Sequence, residues 1–310
     1  MAVFHLDTRN AGLLLGTPAD DLVQGTAAKP DVVNGRIGVI RLRQGDDTIR
    51  FRSFRNPGVV ELGAGRDWLT GLDTLLNGRI SRETDPRGGI WMGQGADRIG
   101  SLSERLSIES LGRFDLGGGS DQIWASDLAM QWAPVELGPG DDLMDAAGQI
   151  TIRFASGISG GAGNDRIIAA GGLVLQPDSG INLGPDDDLL DAAAGFHGLW
   201  GQGYVQLGPG DDVFRGFLTP WLEQPDAVQS PWGTLQGGKG WDVQALPQGR
   251  YAVVREASDL YFSLYSLTQL GSGLTMQISG INALQGLQGG GGAIQEGLFV
   301  VSAAGLGAFV

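Results

Sequence analysis

Along the chain an apolar position recurs in a fixed relation to its polar neighbours. Segments such as LGPGDDLM, GGAGNDRI and LGPGDDVF share a glycine-rich turn, an aspartate and, two residues later, an apolar side chain. Ten aspartates carry the pattern: Asp21, Asp47, Asp67, Asp97, Asp121, Asp142, Asp165, Asp188, Asp212 and Asp242. Two positions after them stand Val23, Ile49, Leu69, Ile99, Ile123, Met144, Ile167, Leu190 and Phe214, and only Gln244 differs. Strand side chains alternate faces, so this residue is expected to begin a short strand and point inward. Five positions before the aspartate, seven of the ten units have Leu or Met: Leu42, Leu62, Met92, Leu116, Leu137, Leu183 and Leu207. These predict an inward-facing end to the preceding strand. Each unit reads as turn, aspartate, strand. One unit has too little apolar surface to stand alone, so the units must stack.

The turns have two glycine columns. Four residues before the aspartate stand Gly63, Gly93, Gly117, Gly138, Gly161, Gly184, Gly208 and Gly238. Two before it, glycine is again the rule (Gly65, Gly95, Gly119, Gly140, Gly163, Gly210 and Gly240 among them), with Ala19 and Asp186 the exceptions. Glycines two apart permit a tight turn with positive φ and leave main-chain carbonyls on one side. The aspartate adds a hard oxygen, the donor that calcium prefers. Intervals between aspartates run from 20 to 30 residues. The simplest arrangement is one such turn per coil with a longer irregular half, in which QITIRFASG and GGLVLQPDSG supply second strands and returns.

This pattern resembles the RTX, or haemolysin-type calcium-binding, repeat G-G-x-G-x-D-x-U-x over residues 15–245. Gly161–Ile167 and Gly238–Asp242 are nearest to that form, and GTPADDLVQG at 16–25 looks like an opening unit. The resemblance implies a right-handed parallel β-roll with Ca²⁺ between the turns of neighbouring coils. Its ligands would be the ten aspartates and the carbonyls of the paired glycines named above. Two departures stand out. Leu or Met replaces the first glycine in seven units, and the intervals exceed two nine-residue units. The expected fold is therefore all-β: a right-handed parallel β-roll or β-helix of about ten coils over 1–245, closed by a C-terminal β cap over 246–310.

Composition narrows the chemistry. The chain has 54 Gly in 310 residues, but not every third, and 42% apolar residues, so neither collagen nor disorder is expected. The formal charge of −14 disfavours nucleic acid and anionic membranes and suits cations. Aspartates stacked roughly 5 Å apart would repel by about 0.8 kcal/mol per pair even at the dielectric of water. Folding and calcium uptake are therefore expected to be linked. With no Cys, disulfides and thiolate sites are excluded. MAVFHLDTRN lacks the continuous apolar stretch of a cleaved leader, and no run suits a membrane span. From Tyr261 onward the only charged side chain is Glu296. That tail is similar to the uncleaved export segment of RTX proteins, and it equally suits a plain capping strand.

The expected role is a secreted or cell-surface calcium-binding structural protein, not an enzyme, with surface polysaccharide or surface-layer proteins as partners. The competing reading is a carbohydrate-active enzyme or glycan-binding module on a parallel β-helix. Arg36, Arg41, Arg43, Arg50, Arg52 and Arg55 form a basic stretch that is either a solvated strand face or a patch for an anionic glycan. Trp68 belongs to an outward column, whereas packing is expected for Trp124, Trp200, Trp221 and Trp232. Gly157–Gly161 matches G-x-S-x-G, but it leads into a turn and not a strand-to-helix elbow. His5 and His197 suggest no metal site, and Glu104, Glu109 and Arg113 would have to converge to make an active site.

Overall fold

The computed structural model describes residues 1–6, 10, 12–27, 29–34, 38–55, 58–71, 74–77, 89–109, 112–198, 203–219, 234–258 and 263–310. Among these residues every regular element is a strand, and no helix is long and apolar enough to cross a membrane.

The coils form a β-solenoid with three sheets. Each coil climbs a strand of a 15-stranded return sheet, rounds the glycine turn, and enters a strand of a 13-stranded sheet that starts at or just after the aspartate. It then crosses an 8-stranded middle sheet, from Val32–Val33 to Phe196–His197, before returning. Pairing between coils is parallel and in register: Ile99 faces Ile123, then Met144, Ile167, Leu190 and Phe214 in turn. The half between glycine turns is thus a regular sheet where irregular chain was expected. Ile150–Arg153 and Leu173–Leu175, in the segments read as second strands, belong to it.

Alternation explains the core. The column two residues after the aspartate is fully buried, as is the Leu/Met column before it. The middle sheet contributes Ile108, Met130, Ile152 and Leu175, and the return sheet Val60, Ile90, Phe114, Val135, Ile158, Ile181, Val205 and Leu235. Gln244, the polar exception, is buried and donates from Nε2 to the Gly216 carbonyl at 3.2 Å.

The turns require their glycines. Gly93 and Gly95 have φ of 118° and 143°, and a Cβ on either would collide with the carbonyl oxygen of Gly63 or Gly65 in the coil below. Two non-glycine residues in these columns take the same conformation, Arg43 (φ 89°) and Asp186 (φ 85°). Thr17 and Ala19 of the first unit stand in the same columns without it.

Strands close both ends of the solenoid. Ala2–Leu6 pairs with Asp21–Gly25 and closes the 13-stranded sheet at the N-terminal end. Leu13 and Leu15 face solvent on the edge strand of the return sheet, at 62% and 41% exposure. At the other end, parallel pairing continues past residue 245, with Leu235 opposite Ile278 and Val243 opposite Ala283. Gly249–Ser258, Ser263–Gln269, Gly297–Val301 and Gly307–Phe309 form the antiparallel cap.

Candidate functional site

All ten motif aspartates converge into one buried row, each at most 2% exposed. A strand beginning at the aspartate turns its first side chain inward beside the glycine turn, and the in-register stack aligns these carboxylates. Each main-chain N–H donates to the Oδ1 of the aspartate one coil further on. The bonds run Asp21 to Asp47, Asp47 to Asp67, and so on to Asp212 with Asp242, at 2.7–3.1 Å. Ala2 N–H donates to Asp21 Oδ1 at 2.8 Å, and Asp242 N–H to the side-chain oxygen of Asn282 at 2.7 Å. The result is an unbroken hydrogen-bond ladder from the first strand to the last coil.

One position earlier, outside, a second ladder runs the other way. Asp20 Oδ1 accepts from Asp46 N–H, Asp46 from Arg66, Asp141 from Asn164, Asn164 from Asp187, Asp187 from Asp211, and Asp211 from Trp241. These side chains are mostly exposed, so water shares their charge. The inner row has no such relief.

Oδ1 of every inner aspartate is satisfied; Oδ2, except at Asp21, is not. From Asp47 to Asp242, nine Oδ2 atoms are buried without a hydrogen-bond partner. Burying an unpaired charge is costly, and a carboxyl responds by holding its proton. Burial, helped by neighbouring carboxylates, pushes Asp97 and Asp142 up to about 6. It pushes Asp47, Asp165 and Asp212 to about 7, and Asp67, Asp121 and Asp188 to about 8. Asp242 is raised by burial as well. Asp21 goes the other way: burial raises it, but the N–H groups of Thr17 and Ala2 outweigh that and hold it low. Its Oδ2 takes the Thr17 N–H at 2.6 Å.

Nine donorless buried carboxylate oxygens are the hard donors a divalent cation takes, so the donor set suits calcium in kind. In the glycine turns the carbonyl oxygens of Gly63, Gly65, Gly117 and Gly119 lie against the glycines of the next coil. Their backbone also bonds between coils, with Gly65 N–H on the Gln94 carbonyl and Gly95 N–H on that of Gly118, both at 2.8 Å. The turn stack therefore holds its register through its own main chain, and what it lacks is compensation for charge. Among the described residues no three His, Cys, Asp or Glu side chains cluster as a self-sufficient metal site.

The other candidates scatter. Arg41 pairs with Glu61, and Arg52 with Asp31. Arg36, Trp200, Trp221 and Trp232 lie outside the described residues. Trp124 does not pack inside: it is half-buried on the outer face, with the Arg98 guanidinium 5.5 Å from its ring and 5.6 Å from that of Trp68. Ser159 stands exposed in strand Gly157–Ala162 of the return sheet. Glu104, Glu109 and Arg113 do not converge, being engaged with Thr70, Ser107 and Glu136 respectively. Asn282 and the outer ladder escaped sequence reasoning. Their signals were GIN at 280–282, a worn copy of the G-x-D turn, and the acidic residue that so often precedes the motif aspartate. Comparison with known families, characterised proteins and solved structures returns no match.

Proposed function

We propose that the chain is a calcium-stabilised structural solenoid of the haemolysin-type class, working outside the cell or on its surface. The observation that carries the reading is the row of nine buried Oδ2 atoms with no donor. At neutral pH such a row takes up either protons or cations. Asp47, Asp67, Asp97, Asp121, Asp142, Asp165, Asp188, Asp212 and Asp242 would hold the ions with carbonyls of the glycine turns. Bound calcium supplies positive charge that cancels repulsion along the row. The chain's own part is to bring the oxygens into line and exclude water from them.

An extracellular setting suits this reading, because extracellular calcium-binding modules typically bind at about 10⁻⁴–10⁻³ M, above resting cytosolic calcium. The test is calcium counting by native mass spectrometry together with circular dichroism and hydrodynamic size, with and without EGTA. Several ions per chain and a looser, larger chelated form are expected. Indifference of structure, size and melting to chelator would overturn the reading.

A further inference from the structure

Three residues after each ladder aspartate, the 13-stranded sheet presents an outward position at one corner of the solenoid. Successive coils place Gln24, Arg50, Thr70, Gly100 and Trp124 there, with His5 beside Gln24 in the first strand. Along the N-terminal part of this column runs a cavity of about 860 Å³. Its floor includes the buried Phe51, and its polar groups include His5, Gln24, Arg50, Thr70 and Glu104. Glu104 reaches back from a later coil, accepting from Thr70 Oγ1 at 3.3 Å and from Gly71 N–H at 3.5 Å.

Two features give the occupant's chemistry. Arg50 is exposed and has no carboxylate partner among the described residues, in a chain of net charge −14. On the same face, Arg98 has no carboxylate partner among the described residues and lies over the indoles of Trp68 and Trp124, which hold its planar fork in place. Arg50 and Arg98 thus stand two coils apart, about 10 Å at the strand spacing, with the indoles of Trp68 and Trp124 on the same face. A sugar chain laid along the axis can bring two separate anionic groups to them. Arginine's fork matches a carboxylate or sulfate, and Glu104 and Gln24 match sugar hydroxyls.

We propose that this face binds an acidic oligosaccharide laid along the solenoid axis, its anionic groups on Arg50 and Arg98 and its rings in the groove above Phe51. The site is independent of the calcium ladder, whose side chains lie on the inner face.

The test is titration calorimetry at fixed calcium with a chondroitin sulfate tetrasaccharide and its desulfated, carboxyl-reduced counterpart. Saturable binding of the acidic form, at least ten-fold tighter than of the neutral one, is expected. Arg50→Gln and Trp68→Ala should each weaken it at least ten-fold. Arg166→Gln, in the same outward column as Arg98 but three coils on, should leave it unchanged. Circular dichroism and melting of Arg50→Gln should match the parent, which separates loss of the site from loss of the fold. A desulfated form that keeps its carboxylates tells which anion is read. Equal binding of the neutral sugar, an unchanged Arg50→Gln, or an equal loss in Arg166→Gln overturns the proposal.

Discussion

Asn282 accepts the main-chain N–H of Asp242 at 2.7 Å, so the last rung of the inner ladder is an amide and not a carboxylate. It lies 40 residues beyond Asp242, because the Gly249–Ser258 and Ser263–Gln269 hairpin intervenes before the chain returns to the solenoid. A neutral terminus keeps the hydrogen bond without adding another buried charge where the cap begins. Asn282→Ala leaves the Asp242 N–H without its acceptor, at a cost of about 1–3 kcal/mol. Asn282→Asp keeps the acceptor and adds a charge. It should melt lower than the parent in EGTA at pH 8 and recover part of the loss with calcium, as read by calorimetry. A parent-like melt for Asn282→Ala would remove the ladder's claim to support the cap.

In mid-ladder, Asp142 joins two functions that substitution can separate. Its Oδ1 supports Asp121 N–H at 2.7 Å, while its Oδ2 is buried without a partner. Asp142→Ala loses the rung and should destabilise by about 1–3 kcal/mol under all conditions. Asp142→Asn keeps an acceptor and discards the charge. It should be at least as stable as the parent in EGTA at pH 8, yet bind fewer calcium ions. Undiminished calcium uptake by Asp142→Asn would count against the row as the metal site.

The row also fixes the sign of a pH dependence. Eight ladder carboxyls are raised from the ordinary aspartate value to between about 6 and 8, with burial the main cause. The folded chain thus holds more protons than the unfolded one between about pH 4 and pH 8. Stability is fully present below the unfolded value and falls as pH rises through the folded ones. In EGTA, the melting temperature should decline from pH 5 to pH 8. Calcium should flatten or reverse that slope and release protons on binding, seen as buffer-dependent heat in calorimetry. A metal-free melting temperature that rises over this window would contradict the burial of the charges.

The ladder and the inner columns were legible because they keep a fixed offset from the turn: Leu137, Gly138, Gly140, Asp142 and Met144 state turn, ladder carboxyl and core in eight residues. The middle sheet was not legible in the same way. Its strands begin at Leu106, Leu128, Ile150 and Leu173, nine, seven, eight and eight residues after the aspartates before them, so the column slips by a residue or two between coils. The direction of the ladder was hidden too. Which carboxylate oxygen meets an N–H depends on how the turn aims the side chain, which composition does not encode. Trp124 was misplaced because an indole's size suggests core, whereas its strand parity, one residue after the inward Ile123, places it outside.

Arg43 allows the turn geometry itself to be tested. It occupies the column in which eight other coils have glycine, opposite Gly63 in the pairing, with φ at 89°. A side chain in that region costs of order 1–3 kcal/mol, while glycine's extra freedom in the unfolded chain returns roughly 0.5–1 kcal/mol of that gain. The arginine is exposed, so little packing is lost. Arg43→Gly should therefore stabilise by about 1 kcal/mol, visible as a small rise in melting temperature with and without calcium. The converse, Gly138→Ala, drives a Cβ into the Gly117 carbonyl of the coil below and should weaken the stack far more than a surface substitution does. Asp186→Gly relieves the same conformation but gives up the Asp186 Oδ2 bond from Gly163 N–H at 3.1 Å, so its gain should be the smaller of the two. If Arg43→Gly melted below the parent, positive φ would not be what selects glycine in these turns, and close approach of the backbones would have to carry that column alone.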